Sequence, residues 1–278
     1  VIDVMAEAGF EYLELAVGND GLRFLLDDMT LTVNGQSYSS ETVAAGIQAG
    51  NREYYDAGTA NELTEAEMDE IISYALEKEI EIIPLINTPG HMDAILSCMK
   101  ACGLEQTAYA DSERTVDVTN EEAVAFTQAL LKKYIAYFAD KGCTFFNMGA
   151  DEYANDVYAS GGMGFGQLQS TGQYGAFVEY VNEMAAMIKE AGMTPMAFND
   201  GIYYNRNTSS GTFDTDIKIA YWSGGWNGYQ VASASFLKSQ GFDLINTNGD
   251  YYWVLGKSDA QCTAEKAAGF DDQTFQGN

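Results

Sequence analysis

Phe145-Phe146-Asn147-Met148-Gly149-Ala150-Asp151-Glu152 opens as an apolar run and ends in two adjacent acids. A short apolar run bounded by a turn reads as a buried strand, and here it empties into a polar loop. The same arrangement recurs on both sides. Upstream, Tyr12–Val17 runs into Gly18-Asn19-Asp20, and Ile80–Ile86 runs into Asn87-Thr88-Pro89-Gly90-His91. Downstream, Thr194–Phe198 runs into Asn199-Asp200, Ile217–Trp222 into Ser223, and Phe242–Asn246 into Asn248-Gly249-Asp250-Tyr251. Helical patterns alternate with these runs. Val1–Ala8 is stopped by Gly9, and Thr64 with Glu67 forms a capping box ahead of Met68, Ile71, Ile72, Ala75 and Leu76. Further helices are expected over Met92–Cys102, Asn120–Ala139, Tyr174–Ala191 and Val231–Gln240. Gly18 to about Ser40 reads as a loop, and Gly161–Gly166 as a mobile glycine-rich loop.

Alternating strand and helix predicts an α/β fold with a covered parallel sheet. A doubly wound sheet concentrates its ligand at one crevice. Functional-looking residues after every strand instead favour a (β/α)8 TIM barrel, whose site is built at that face. The strand count is two short of eight. The first strand is expected before Val1 and the eighth after Asn278, so residues 1–278 read as a single catalytic barrel domain incomplete at both ends. The opening in mid-helix at Val1, with no signal peptide, reads as a piece of a longer protein.

The charge is lopsided, with 14 Lys and Arg against 41 Asp and Glu and a net charge of −27. Such a surface repels phosphate backbones and anionic membranes, so no nucleic-acid partner is expected. No apolar run of ~20 residues is present, so no membrane insertion is expected. A neutral sugar meets no such objection, and aromatic residues are plentiful at 18 Tyr, 14 Phe and 3 Trp. His91 is the single histidine, which excludes a multi-histidine zinc site, and no metal or cofactor is expected. Cys98, Cys102, Cys143 and Cys262 lack a CxxC spacing and read as buried free thiols. No P-loop or GxSxG elbow is present.

Asp151 and Glu152 are the candidate catalytic pair. Acids also cap helices and solvate loops, but these two end a strand expected to be buried, where burial and like charge raise a carboxyl pKa. A raised pKa suits a general acid working near neutrality. His91, at a Pro-Gly turn, reads as a partner that positions or tunes an acid, with Asp20 as a third member. Trp222, Trp226, Tyr251, Tyr252 and Trp253 are either core or a wall on which a sugar stacks. Their places after strands favour the wall.

At these residues the chain resembles glycoside hydrolase family 20, the β-N-acetylhexosaminidases, and most of all modules of large streptococcal surface enzymes in it. The resemblance rests on Gly18–Asp28, Ile86–Ala94, Asn147–Asp156, Met196–Gly201 and Leu244–Tyr252, which fall in the family's order. It implies a retaining exo-hydrolase that removes terminal β-linked GlcNAc or GalNAc. The substrate's own acetamido oxygen would attack, giving an oxazolinium-type intermediate. By position, Asp151 orients the acetamido nitrogen, and Glu152 is the acid and then the base. Tyr252, with Tyr251 the near alternative, bonds the acetamido oxygen, and Asp20 and His91 support the acid. Trp222, Asn199 and Asp200 complete the expected substrate-binding set. The implied partner is an N-glycan, mucin or other oligosaccharide, and the implied location is secreted or attached to the cell surface. Release of a disaccharide such as lacto-N-biose, or a non-catalytic glycan-binding module, are the alternatives. Ala150 stands where the family often has Gly, and Phe198 where the wider family has Trp. The family's first strand supplies an Arg and its eighth a Trp and an acid, so a chain without them is expected to be weakly active or unstable.

Overall fold

The computed structural model describes residues 1–56, 61–159, 162–226, 228–252, 263–271 and 273–276. Six parallel strands follow one another in chain order across one sheet: β1 (Tyr12–Asn19), β2 (Glu81–Thr88), β3 (Phe145–Gly149), β4 (Thr194–Phe198), β5 (Lys218–Tyr221) and β6 (Leu244–Asn246). A two-residue strand, Gly21–Leu22, turns back antiparallel on β1. The result is an arc of a (β/α)8 barrel, with β1 and its hairpin at one end and β6 at the other. β2 is buried along nearly its whole length, as expected of a parallel strand covered on both faces.

The helices are α1 (Ile2–Glu7), α2 (Ser40–Tyr54), α3 (Glu65–Glu77), α4 (Asp93–Ala101), α5 (Glu121–Asp140), α6 (Gly164–Ser170), α7 (Tyr174–Glu190), α8 (Ala234–Ser239), α9 (Gly249–Tyr252) and α10 (Ala264–Ala268). Local chemistry starts several of them. Thr64 Oγ1 accepts from the Glu67 amide while the Glu67 carboxylate accepts from the Thr64 amide, which is the expected capping box. Asn120 Oδ1 accepts from the Glu122 and Ala123 amides ahead of α5. α5 and α7 bury Phe126, Leu130, Tyr134, Phe138, Phe177, Val181 and Met184, an apolar stripe of the width a covering helix needs.

Two expectations are corrected. The stretch from Gly18 to Ser40 is not one loop: it holds the return strand Gly21–Leu22 and a hairpin of Leu31–Val33 on Gln36–Tyr38, and α2 then follows. α2 packs on α4 through glycines rather than large apolar groups. A Cβ at Gly46 would lie 2.7 Å from Cys98 Cα, and one at Gly50 would lie 2.6 Å from Ala94 Cα. Residues that look like helix breakers are what let the two backbones approach. The second correction concerns Gly161–Gly166, where Gly164 begins α6 and Phe165 is buried against Phe177. Between Asn199 and Ile217 only the short 3-10 turn Tyr204–Arg206 forms, as the weak helical pattern there predicts. Cys98 and Cys143 are buried free thiols, Cys102 is only half-buried, and Cys262 lies outside the described residues.

Candidate active site

The carboxyl ends of β1, β2, β3 and β4 bring Asp20, His91, Asp151, Glu152 and Asp200 together. The turns are tied to one another through the backbone. The Asp20 amide donates to His91 O at 2.6 Å, the Ala94 amide to Asp20 O at 3.0 Å, and the Ala150 amide to Thr88 O at 3.0 Å. Asp20, His91, Ala150 and Glu152 all have φ between 47° and 65°, a left-handed conformation uncommon for residues with a Cβ and concentrated at functional sites. Gly149, at φ 73°, precedes the acids. A Cβ there would lie 2.0 Å from Asn87 Oδ1, so only glycine fits.

His91 is the hub of one flank. Nδ1 lies 2.7 Å from Asp20 Oδ1, and Nε2 lies 3.0 Å from Glu152 Oε2. Nε2 is also 3.9 Å from Asp151 Oδ2. Burial works against charging the imidazole, but the hydrogen bonds to Asp20 and Glu152 and the nearby negative charges outweigh it. Its pKa is pushed up to about 11. At neutral pH both ring N–H groups therefore donate. Burial likewise opposes the charge on Asp20, yet the bonds from His91 and Tyr54 hold its carboxyl below the usual value. Tyr54 Oη donates to Asp20 Oδ2 at 2.6 Å. The ligand atoms of His91, Asp151 and Glu152 lie within 4.8 Å of one another.

Asp151 is buried. Its Oδ1 accepts from Asn87 Nδ2 at 2.6 Å, and the same nitrogen lies 2.9 Å from Asn19 Oδ1. Burial first, and then the Glu152 charge, raise the Asp151 pKa against the opposing pull of His91.

Asp200 forms the other flank. Its Oδ2 accepts from the Glu152 amide at 2.8 Å and from Tyr229 Oη at 2.9 Å, and its Oδ1 accepts from Trp222 Nε1 at 3.0 Å. It pairs with no cation among the described residues. Burial, and then the Asp151 charge, push it up to about 7. Asn199 does not face the acids: it ties β4 to β5, accepting from the Trp222 amide at 2.8 Å and donating to Ser223 O at 2.8 Å. Trp226 stacks on Tyr229 with centroids 4.2 Å apart and planes 13° apart, and Trp222 leans towards it at 5.9 Å.

The structure therefore gathers Asp20, His91, Asp151, Glu152, Asp200 and Trp222. Tyr251 is not part of that cluster: its ring packs against Phe270 at 5.1 Å, and no hydrogen bond joins it to the acids among the described residues. The Tyr252 side chain and Trp253 lie outside the described residues. Sequence reasoning did not single out Tyr54, Asn87 or Tyr229. Asn87 sits inside the Asn-Thr-Pro-Gly-His motif and could have been found there. Tyr54 and Tyr229 reach the site from distant segments and carry no local signal.

Fold and site together define the class, a barrel glycoside hydrolase. The chain belongs to glycosyl hydrolase family 20: the model of that family's catalytic domain matches residues 1–274. The likeness to streptococcal modules is also met. A solved structure of the pneumococcal virulence factor StrH is 46% identical with a TM-score of 0.89, over 96% of this chain and 65% of that one. A lacto-N-biosidase of Bifidobacterium bifidum is 29% identical over 206 residues, which is 71% of this chain and 17% of that protein. The chain thus spans less than two thirds of either relative. Dispersin B shares the fold at 20% identity, with a TM-score of 0.69 over 99% of this chain and 79% of that one.

Proposed function

We propose that the site removes a terminal β-linked N-acetylhexosamine from a glycan by substrate-assisted hydrolysis with retention. One observation carries the reading. Of the acids in the cluster, only Asp151 and Glu152 keep a carboxyl oxygen free of hydrogen bonds among the described residues. Asp20 is occupied by His91 and Tyr54, and Asp200 by three donors. The two available acids are neighbours on one turn and are reached from one imidazole nitrogen, so they approach a bound sugar from one side. The substrate's own acetamido oxygen takes the part of the nucleophile.

In this mechanism Asp151, with Oδ1 fixed by Asn87, uses Oδ2 to accept the acetamido N–H and to stabilise the charge that develops there. Glu152, with Oε2 held by His91, uses its other oxygen to protonate the leaving group and later to take a proton from water. Trp222 and Trp226 supply flat faces for the sugar. One StrH structure concerns N-glycan recognition and hydrolysis, and another describes StrH as an exo-β-D-N-acetylglucosaminidase, which supports an N-glycan with terminal GlcNAc as the substrate. A second reading, release of a disaccharide, is favoured by the lacto-N-biosidase likeness.

Hydrolysis of para-nitrophenyl N-acetyl-β-glucosaminide, the plain β-glucoside and the β-lacto-N-bioside, side by side, tests this. Cleavage of the first alone is expected. Cleavage of the plain glucoside would remove substrate assistance, and cleavage of the lacto-N-bioside alone would establish the second reading.

A further inference from the structure

Tyr54 ends α2, and the residue is 40% exposed. Its hydroxyl reaches inward and donates to Asp20 Oδ2 at 2.6 Å. Asp20 is buried, and its other oxygen holds His91 Nδ1 at 2.7 Å. Glu152 Oε2 follows at 3.0 Å from His91 Nε2. Tyr54, Asp20, His91 and Glu152 thus form one line of hydrogen bonds drawn from α2 and from the turns after β1, β2 and β3. The mechanism above assigns no part to its first member.

Helix packing places the hydroxyl. Gly50, one turn before Tyr54, is where α2 comes closest to α4, against Ala94. The Ala94 amide in turn donates to Asp20 O at 3.0 Å. The backbone and the carboxylate of Asp20 are therefore both held by this helix pair. Partial burial, and then the bond to Asp20, raise the Tyr54 pKa, so the hydroxyl keeps its proton and stays a donor.

We propose that Tyr54 is a positioning residue for the catalytic acid, acting on Glu152 through Asp20 and His91. The inference deepens the hydrolase reading and rests on it. A hydroxyl that donates to a carboxylate stabilises its charge and makes it a weaker acceptor for a second partner. Asp20 then neutralises less of the imidazolium, and more of that positive charge faces Glu152. The carboxylate that Glu152 becomes on giving up its proton is stabilised accordingly. Among the described residues Tyr54 makes no hydrogen bond to Asp151 or Glu152, so its effect falls on turnover rather than on sugar binding.

His91 is the only histidine, so its Nδ1–H resonance is unambiguous in the chain labelled with ¹⁵N-histidine. Tyr54→Phe keeps the ring and removes the hydroxyl. It is expected to move that resonance downfield, as Asp20 becomes a stronger acceptor. It is also expected to lower kcat for the N-acetyl-β-glucosaminide by about tenfold with KM unchanged. Tyr55→Phe alters the neighbouring ring, edge-on to Tyr54 at 4.8 Å, and is expected to do neither. Replacing Tyr54 by 3-fluorotyrosine, whose more acidic hydroxyl is a stronger donor, keeps the packing and is expected to move the resonance the other way. That measurement decides the matter should Tyr54→Phe fail to fold. In an active wild-type chain, an unmoved resonance, an unchanged kcat or a loss confined to KM overturns the proposal alone. A wild-type chain inactive on this substrate overturns the hydrolase reading, and the proposal with it, whatever the resonance does.

Discussion

Glu152 is held from two flanks that work in opposite ways. On one, His91 places a cation against the carboxylate and is itself anchored by Asp20 and Tyr54. On the other, Asp200 grips the Glu152 backbone amide and pairs with no cation among the described residues. The first flank governs charge and the second governs position. Their titrations differ accordingly. His91 is raised from 6.5 to about 11, whereas Asp200 is raised from 3.8 to about 7. In each case the folded state holds its proton to higher pH than the unfolded state does. The stability that each group contributes is complete below its unfolded pKa and is lost as pH rises through the folded one. The two windows are consecutive, roughly pH 4–7 for Asp200 and 6.5–11 for His91.

The charge flank is where the largest effect is expected. His91→Ala should lower kcat/KM for the N-acetyl-β-glucosaminide by about 100-fold, the scale of a disturbed general acid. It should also flatten the fall in thermal stability above pH 7. A variant with the wild-type alkaline profile would show that His91 carries no linked proton. The position flank is expected to give a smaller effect of another kind. Asp200→Asn should remove the loss of stability between pH 4 and 7, a change on the order of 3 kcal/mol across that window. Denaturant melts at pH 4 and pH 7 check this, and an unchanged slope would assign the titration elsewhere. The smallest effect concerns the turn between the flanks. Ala150 is buried at φ 65°. Ala150→Gly relieves that conformation but adds freedom to the unfolded chain and removes a buried methyl. A stability gain of no more than about 1 kcal/mol is expected, read as a shift in urea midpoint. A loss would mean that the methyl's packing outweighs the backbone.

Much of this was legible in the sequence for a physical reason. Buried parallel strands must be apolar throughout, and a polar residue directly after one is conspicuous. That is why Asp20, His91, Asp151, Glu152 and Asp200 stood out. α2 did not, because it buries glycines against α4, and Tyr54 at its end was missed with it. Tyr229 was missed because it reaches Asp200 from a loop with no periodicity. Tyr251 looked like a site residue by position, but its ring turns to Phe270. Sequence order reports where a side chain leaves the backbone and says little about which way it then points.

Asp200 also accepts from Trp222 and, through Tyr229, is joined to the stacked Trp226. The surface that would select the sugar and the residue that would cleave it thus share one anchor. Reshaping the aromatic wall to admit a different ring moves the footing of the proton donor as well. An engineer who widens this pocket should expect selectivity and turnover to change together, and should redesign Asp200 and its donors as one unit.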